Sequence, residues 1–145
     1  MILNNIGAIA QNEWLKTPSI RPDMNLSLDE FVVMPNHFHA IIYIGENEFN
    51  TNTRRDGMHS VSTITTEDIA INKFGPQSKN LGSIIRGFKA SVSVQVRKLI
   101  PHFGWQERYH DHIIRDQESF LRIQQYILSN PANWKRDKFY SELMW

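Results

Sequence analysis

Two histidines stand two apart in an apolar run, in the stretch VVMPNHFHAIIYI from Val32 to Ile44. In an extended strand side chains alternate between faces, so His37 and His39 would project from one side with Cα atoms roughly 6.5 to 7 Å apart. At that separation two imidazoles can converge on one divalent ion, while Phe38 points into the opposite layer. Pro35 fixes how the chain enters the strand, and Asn36 supplies a turn side chain beside the pair. The same short pattern also fits two ordinary core or edge histidines hydrogen-bonded to backbone, because two ligands do not complete a metal site.

A second group with chemical potential lies near the C-terminus, in QQYILSNP. Tyr126 and Asn130 are four apart and share one face of a helix. A tyrosine hydroxyl, with an ordinary pKa of about 10, is a poor nucleophile. It can still attack a phosphodiester when a metal polarises the phosphate and neutralises the developing charge. Asn130, one turn along, can offer an amide oxygen to the same ion. Each residue also has a plainer reading: Tyr126 as half-buried packing and Asn130 as a helix terminator before Pro131. A further His-x-His, His110-Asp111-His112, has an acidic centre and no clean apolar face. It reads as polar surface or a phosphate contact, with a four-histidine metal site as the minor alternative.

The elements that would position these groups follow from periodicity and breakers. Leu3, Ile6, Ala10 and Trp14 repeat at three-to-four spacing and predict an amphipathic helix over Ile2 to Lys16, ended by Thr17-Pro18. NLSLDEFVVM reads as a strand, Met34-Pro35-Asn36 as a tight turn, and His37 to Ile44 as the hairpin partner. That second strand is apolar on both faces beyond the histidines, which predicts a central strand. Leu81, Ile84, Ile85, Phe88, Val92, Val96 and Leu99 form one stripe of a second helix stopped by Pro101. ERYHDHIIRD is expected as a short strand. Asp116 is the expected N-cap of a third helix, Gln117 to Ser129, with Phe120, Ile123 and Ile127 inward and Pro131 ending it. The predicted order is helix, strand, strand, helix, strand, helix, without internal repeat.

At 145 residues the chain fits one domain, 1–145, with a long polar insertion at about 46–79 that is rich in Asn, Ser and Thr. Hydrophobic residues make up 41% and charged residues 21%, the balance of a globular protein and not of a disordered tail. No stretch reaches the roughly 18 uninterrupted apolar residues of a membrane span, and no signal-type core opens the chain, so a cytoplasmic location is expected. The absence of cysteine removes disulfides, thiolate zinc sites and a cysteine nucleophile. Any metal must then be held by imidazole, carboxylate or amide oxygen. Formal charge is only +1, but from Arg86 to Lys98 every charged residue is basic: Arg86, Lys89, Arg97 and Lys98. Arg115, Arg122, Lys135, Arg136 and Lys138 follow. This fits either a basic face for a nucleic acid or a solvated helix surface.

In combination, the parts resemble a known family. The sequence is similar to the HUH single-tyrosine transposases of the insertion-sequence-200 type, and within them to the REP-associated tyrosine transposases. The matching segments are FVVMPNHFHAIIYI, SIIRGFKASV, GWQERYHDHIIRD and YILSNP, which span about Ile2 to Pro131 in the family's order. The resemblance implies that His37 and His39 hold a Mg²⁺ or Mn²⁺ ion, that Tyr126 is the nucleophile, and that Asn130 matches the polar third ligand. It implies an enzyme of mobile elements in the bacterial cytoplasm, associated with the nucleoid, that nicks hairpin-flanked single-stranded DNA. Cleavage leaves a 5′-phosphotyrosine and a free 3′-hydroxyl, and rejoining another end completes strand transfer. Arg86, Lys89, Arg97, Lys98 and Arg115 would contact phosphates, and Trp105 or Phe103 would stack on unpaired bases. In the family the tyrosine serves either its own or a neighbour's histidine pair, so both a monomer and a homodimer stay open.

The implied fold is α+β, a ferredoxin-like antiparallel sheet with helices packed on it. The family core runs strand, helix, strand, strand, helix, strand, whereas this chain begins at the helix, so no counterpart of the first strand is expected. In that topology the absent strand would sit between the histidine strand and the last strand. A late-assigned start, a decayed copy and a strand replaced by rearrangement or by another subunit all fit. Two other functions therefore stay open: a catalytically inactive, truncated or domesticated DNA-hairpin-binding protein, and a small histidine-metal protein unrelated to DNA.

Overall fold

The computed structural model describes residues 3–50, 79–136 and Tyr140. The polar insertion and Lys138 therefore fall almost wholly or wholly outside the described residues. The elements are α1 (Asn5–Ile20), a 3-10 turn (Pro22–Met24), β1 (Leu26–Val33), β2 (Phe38–Ile44), α2 (Leu81–Val96), α3 (Gln117–Asn133) and a closing 3-10 turn (Trp134–Arg136). The fold is α+β, with β1 and β2 forming an antiparallel two-stranded sheet.

Helix α1 starts at Asn5 because the Asn4 side chain accepts a 2.8 Å hydrogen bond from the Gly7 N–H and caps the first turn. It runs to Ile20, four residues past Lys16 and through the expected Thr17-Pro18 stop. Proline there removes one helical donor, but Trp14 and Thr17 are buried, and the Thr17 hydroxyl donates to the Glu13 carbonyl at 3.2 Å. Packing holds the turn that local propensity would end. Glu13 is buried as well. Its carboxylate accepts from Lys16 Nζ at 2.8 Å and from the Ser91 hydroxyl on α2, which ties the two helices together.

Helix α2 opens with a reciprocal cap: Ser83 N donates to Asn80 Oδ1 at 2.8 Å, and Asn80 N donates to Ser83 Oγ at 3.1 Å. Ile84, Phe88, Val92 and Val96 are buried at the predicted spacing, but Leu99 lies past the helix end and is exposed. The core is an aromatic junction of three elements. Trp14 meets Phe38 and Phe88 edge-on, with ring centroids 5.1 and 5.3 Å away, and Phe38 and Phe88 are 5.2 Å apart. Phe38 thus points into the α1–α2 layer, as its alternation from the histidines predicts.

The hairpin closes where Met34 N donates to the His37 carbonyl at 2.9 Å, followed by the pairs Val33 with Phe38 and Val32 with His39. His37 therefore belongs to the turn, and β2 begins at Phe38, one residue later than expected. The register is irregular between Leu28 and Phe31. A slip of one residue would send the histidines into the aromatic core, so this pairing decides which layer they face. Among the described residues β2 pairs with β1 alone and is not the flanked central strand expected. Its two apolar faces are explained instead by helices on both sides: α1 and α2 beyond Phe38, α3 on the other.

The expected strand at ERYHDHIIRD is absent; 107–116 is irregular. A strand needs a neighbour to satisfy its ladder groups, and Arg108, at φ 63°, breaks the extended path. Two carbonyls just ahead of and within this segment are already taken, since Lys89 Nζ donates to Gln106 O at 3.0 Å and to Arg108 O at 2.6 Å. No described helix is long and apolar enough to cross a membrane.

Candidate active site

Helix α3 lies against the face of the hairpin opposite the aromatic core. Asp116 caps it as the sequence predicts, accepting from Ser119 N at 2.7 Å. That N–H, followed by the Ser119 hydroxyl at 3.1 Å, holds the Asp116 carboxyl below the usual aspartate range. Pro131 does not end the helix. α3 continues to Asn133, and Trp134 keeps right-handed helical backbone angles, φ −47° and ψ −45°. Asn130 and Trp134 are buried on either side of the proline, so tertiary packing again outweighs local preference.

This extension builds the site. Tyr126, Asn130 and Trp134 follow one another at intervals of four and lie along one side of the helix. The Tyr126 ring is 5.3 Å from His39, and the Trp134 ring is 5.9 Å from His37. The two imidazoles are 4.9 Å apart, nearly edge to face. Asn130, 3% exposed, sits one turn from each aromatic neighbour, about 6 Å of helix rise in either direction. Tyr126 remains 52% exposed. On the far flank of α3, Gln124 Nε2 donates to Asp29 Oδ1 of β1 at 3.3 Å, and Pro131 lines an open groove of about 220 Å³ with Phe31, Val32 and Val33.

The histidine chemistry is partly set by the turn. His37 Nδ1 lies 2.9 Å from Asn36 Oδ1, a contact that suits the tautomer with its proton on Nδ1, which would leave Nε2 as the acceptor. The Nε2 atoms of both His37 and His39 are shielded from solvent. Two imidazole nitrogens together with the Asn130 amide oxygen would make a neutral nitrogen–oxygen donor set. Such a set fits a divalent ion that keeps its other positions for water or phosphate oxygen. Among the described residues no three His, Asp or Glu side chains are grouped to hold a metal, so a four-histidine site with His110 and His112 is not formed. Both of those are exposed on the irregular segment.

The basic residues fall elsewhere. Arg86, Lys89, Arg97 and Lys98 belong to α2 or the turn after it, in the layer across the hairpin from the histidines. Lys89 is engaged by the Gln106 and Arg108 carbonyls, and Arg97 Nε donates to Phe103 O at 3.0 Å. Trp105 is half-buried as an anchor: its Nε1 donates to Lys89 O at 3.0 Å, and its ring packs 5.6 Å from Phe88 and 5.7 Å from Phe103. Arg115 is exposed immediately before the α3 cap, and Arg122 is exposed one turn before Tyr126. Sequence reasoning passed over Trp134. Its signal was the repeated spacing of four from Asn130, hidden by the expectation that Pro131 stops the helix.

No known family model matches the chain, and no solved structure matches it. A protein of Haemophilus influenzae (strain ATCC 51907 / DSM 11121 / KW20 / Rd), named "Uncharacterized protein", is 36% identical over 146 residues, which cover 97% of this chain and 72% of the relative. Identity of that extent over nearly the whole chain shows common descent, and the chain belongs to the same family as that Haemophilus protein.

Proposed function

We propose that the chain is a metal-dependent, single-stranded DNA nicking and strand-transfer enzyme, a transposase-type catalyst with Tyr126 as nucleophile. The observation that carries this reading is the approach of the Tyr126 ring to His39, 5.3 Å away, on an imidazole pair whose Nε2 atoms are both shielded. The resemblance to HUH single-tyrosine enzymes points the same way.

In this reading His37, His39 and Asn130 hold a Mg²⁺ or Mn²⁺ ion, which when bound draws charge from the scissile phosphate. The Tyr126 Oη attacks phosphorus; the P–O3′ bond breaks, and the tyrosine proton passes to solvent as the 3′-oxygen leaves and takes up a proton. The products are a 5′-phosphotyrosyl ester and a 3′-hydroxyl. Because the ester conserves the phosphodiester bond energy, a second 3′-hydroxyl can displace Tyr126 without a nucleotide cofactor. Asn36 keeps His37 in one tautomer, and Asp116 fixes the start of the helix that carries Tyr126. Arg115, exposed just ahead of the α3 cap, and Arg122, one turn before Tyr126, are the cations offered to the DNA backbone on this side, with Arg86, Arg97 and Lys98 on the opposite layer.

The test is a denaturing gel of the protein with labelled hairpin-bearing single-stranded DNA and Mn²⁺. A protein-linked 5′ fragment that disappears in Tyr126→Phe supports the reading. Binding without cleavage at any metal concentration would instead favour a DNA-hairpin-binding protein, a reading consistent with a sheet of only two described strands.

A further inference from the structure

His37 is contacted by Asn36 from its own turn, by the His39 ring at 4.9 Å and, from beyond Pro131, by Trp134. Asn36 takes the Nδ1 edge at 2.9 Å, while the Trp134 ring covers the imidazole at 5.9 Å with an interplanar angle of 44°. Trp134 is itself 9% exposed and backed by Tyr140, whose ring centroid lies 5.5 Å away on a 67° edge contact. Its indole Nε1 is buried with no hydrogen-bond partner among the described residues, and the rings of His37 and Tyr140 pack against it.

We infer that Trp134 is a positioning residue for the metal site: it fixes the His37 ring plane so that Nε2 is presented beside His39. The inference rests on the reading of His37 and His39 as metal ligands. An imidazole rotates about two side-chain bonds, and the contact at Nδ1 fixes an edge of the ring and not its plane. The indole packs at 5.9 Å on the ring and so acts on its plane. The helix must pass Pro131 to deliver Trp134, which gives that extension a purpose in the site. Residues that orient a metal-bound histidine commonly change metal affinity by about 10- to 100-fold when removed.

The experiment titrates the full chain with Co²⁺, by calorimetry and by tryptophan fluorescence, in the parent protein, Trp134→Phe, Trp134→Leu and His37→Ala, with circular dichroism as the folding control. Bound Co²⁺ should quench the parent fluorescence. Trp134→Phe should keep Co²⁺ affinity within about threefold but lose most of the quenching, while Trp134→Leu should weaken affinity about 10-fold or more. Leucine-variant affinity equal to the parent, with binding lost in His37→Ala, would overturn the positioning role and leave the metal site standing. Equal quenching in the parent and Trp134→Phe would do the same, and decides the question if the leucine variant does not fold. No Co²⁺ binding by the parent, or unchanged binding in His37→Ala, would remove the metal site and this inference together.

Discussion

Tyr126 meets His39 edge-on, with ring centroids 5.3 Å apart and planes inclined by 75°. This contact joins α3 to the hairpin at the point where the proposed nucleophile and ligand meet. Tyr126→Phe keeps the ring and removes only the hydroxyl. It should abolish the covalent DNA adduct, leave DNA affinity within about twofold, and change stability by less than about 0.5 kcal/mol, as expected for a half-exposed position. Adduct gels, a filter-binding titration and thermal melts check the three outcomes.

Metal dependence separates ligands from packing. His37→Ala and His39→Ala should each lose Mn²⁺ binding by calorimetry and lose the adduct. A chelator should silence the parent protein reversibly, with activity returning on added Mn²⁺. DNA binding in gel shifts should survive chelation, because the cations that contact phosphate do not depend on the ion.

The flank of α3 that carries Tyr126 also carries Arg122 one turn earlier, with Arg115 just ahead of the cap. Each of Arg115→Ala and Arg122→Ala should weaken single-stranded DNA binding about equally for all sequences and lower the slope of log affinity against log salt by about 1. Anisotropy titrations at several salt concentrations measure it. An unchanged slope would put these arginines outside the interface.

Acid stability should report on Glu13. Its carboxyl is held at about 2, below its ordinary 4.5, first by the hydrogen bond from Lys16, then by those from Ser91 and Gln95, against the opposing cost of burial. A folded-state value below the unfolded one means the stabilisation is full above about pH 4.5 and is lost as pH falls toward 2. The loss is on the order of 3 kcal/mol. Glu13→Gln should be less stable than the parent at pH 7 and show a flatter fall in melting temperature between pH 4.5 and 2.

Much of the local structure was legible in the sequence. The β1 and β2 segments, the turn at Met34-Pro35-Asn36, the buried stripe Ile84–Phe88–Val92–Val96 and the Asp116 cap follow from patterning and capping chemistry, which act within a few residues. The errors cluster where a distant contact overrides a neighbour. Pro18 and Pro131 looked like helix stops, yet buried Trp14, Asn130 and Trp134 hold the helix on both sides of them. The segment 107–116 looked like a strand by composition, but a strand exists only with a partner, and Lys89 had claimed its neighbouring carbonyls.

The sequence by itself determined the reactive inventory: a histidine pair spaced to share a face, a tyrosine and an asparagine one helical turn apart, and no cysteine. Only the tertiary structure decided that these groups meet. Hairpin register turns His39 away from the Phe38 core, and α3 then packs on that side with Tyr126 at His39 and Trp134 at His37. Spacing along a chain fixes which side chains share a face, whereas which faces meet depends on the burial of apolar surface from every element at once.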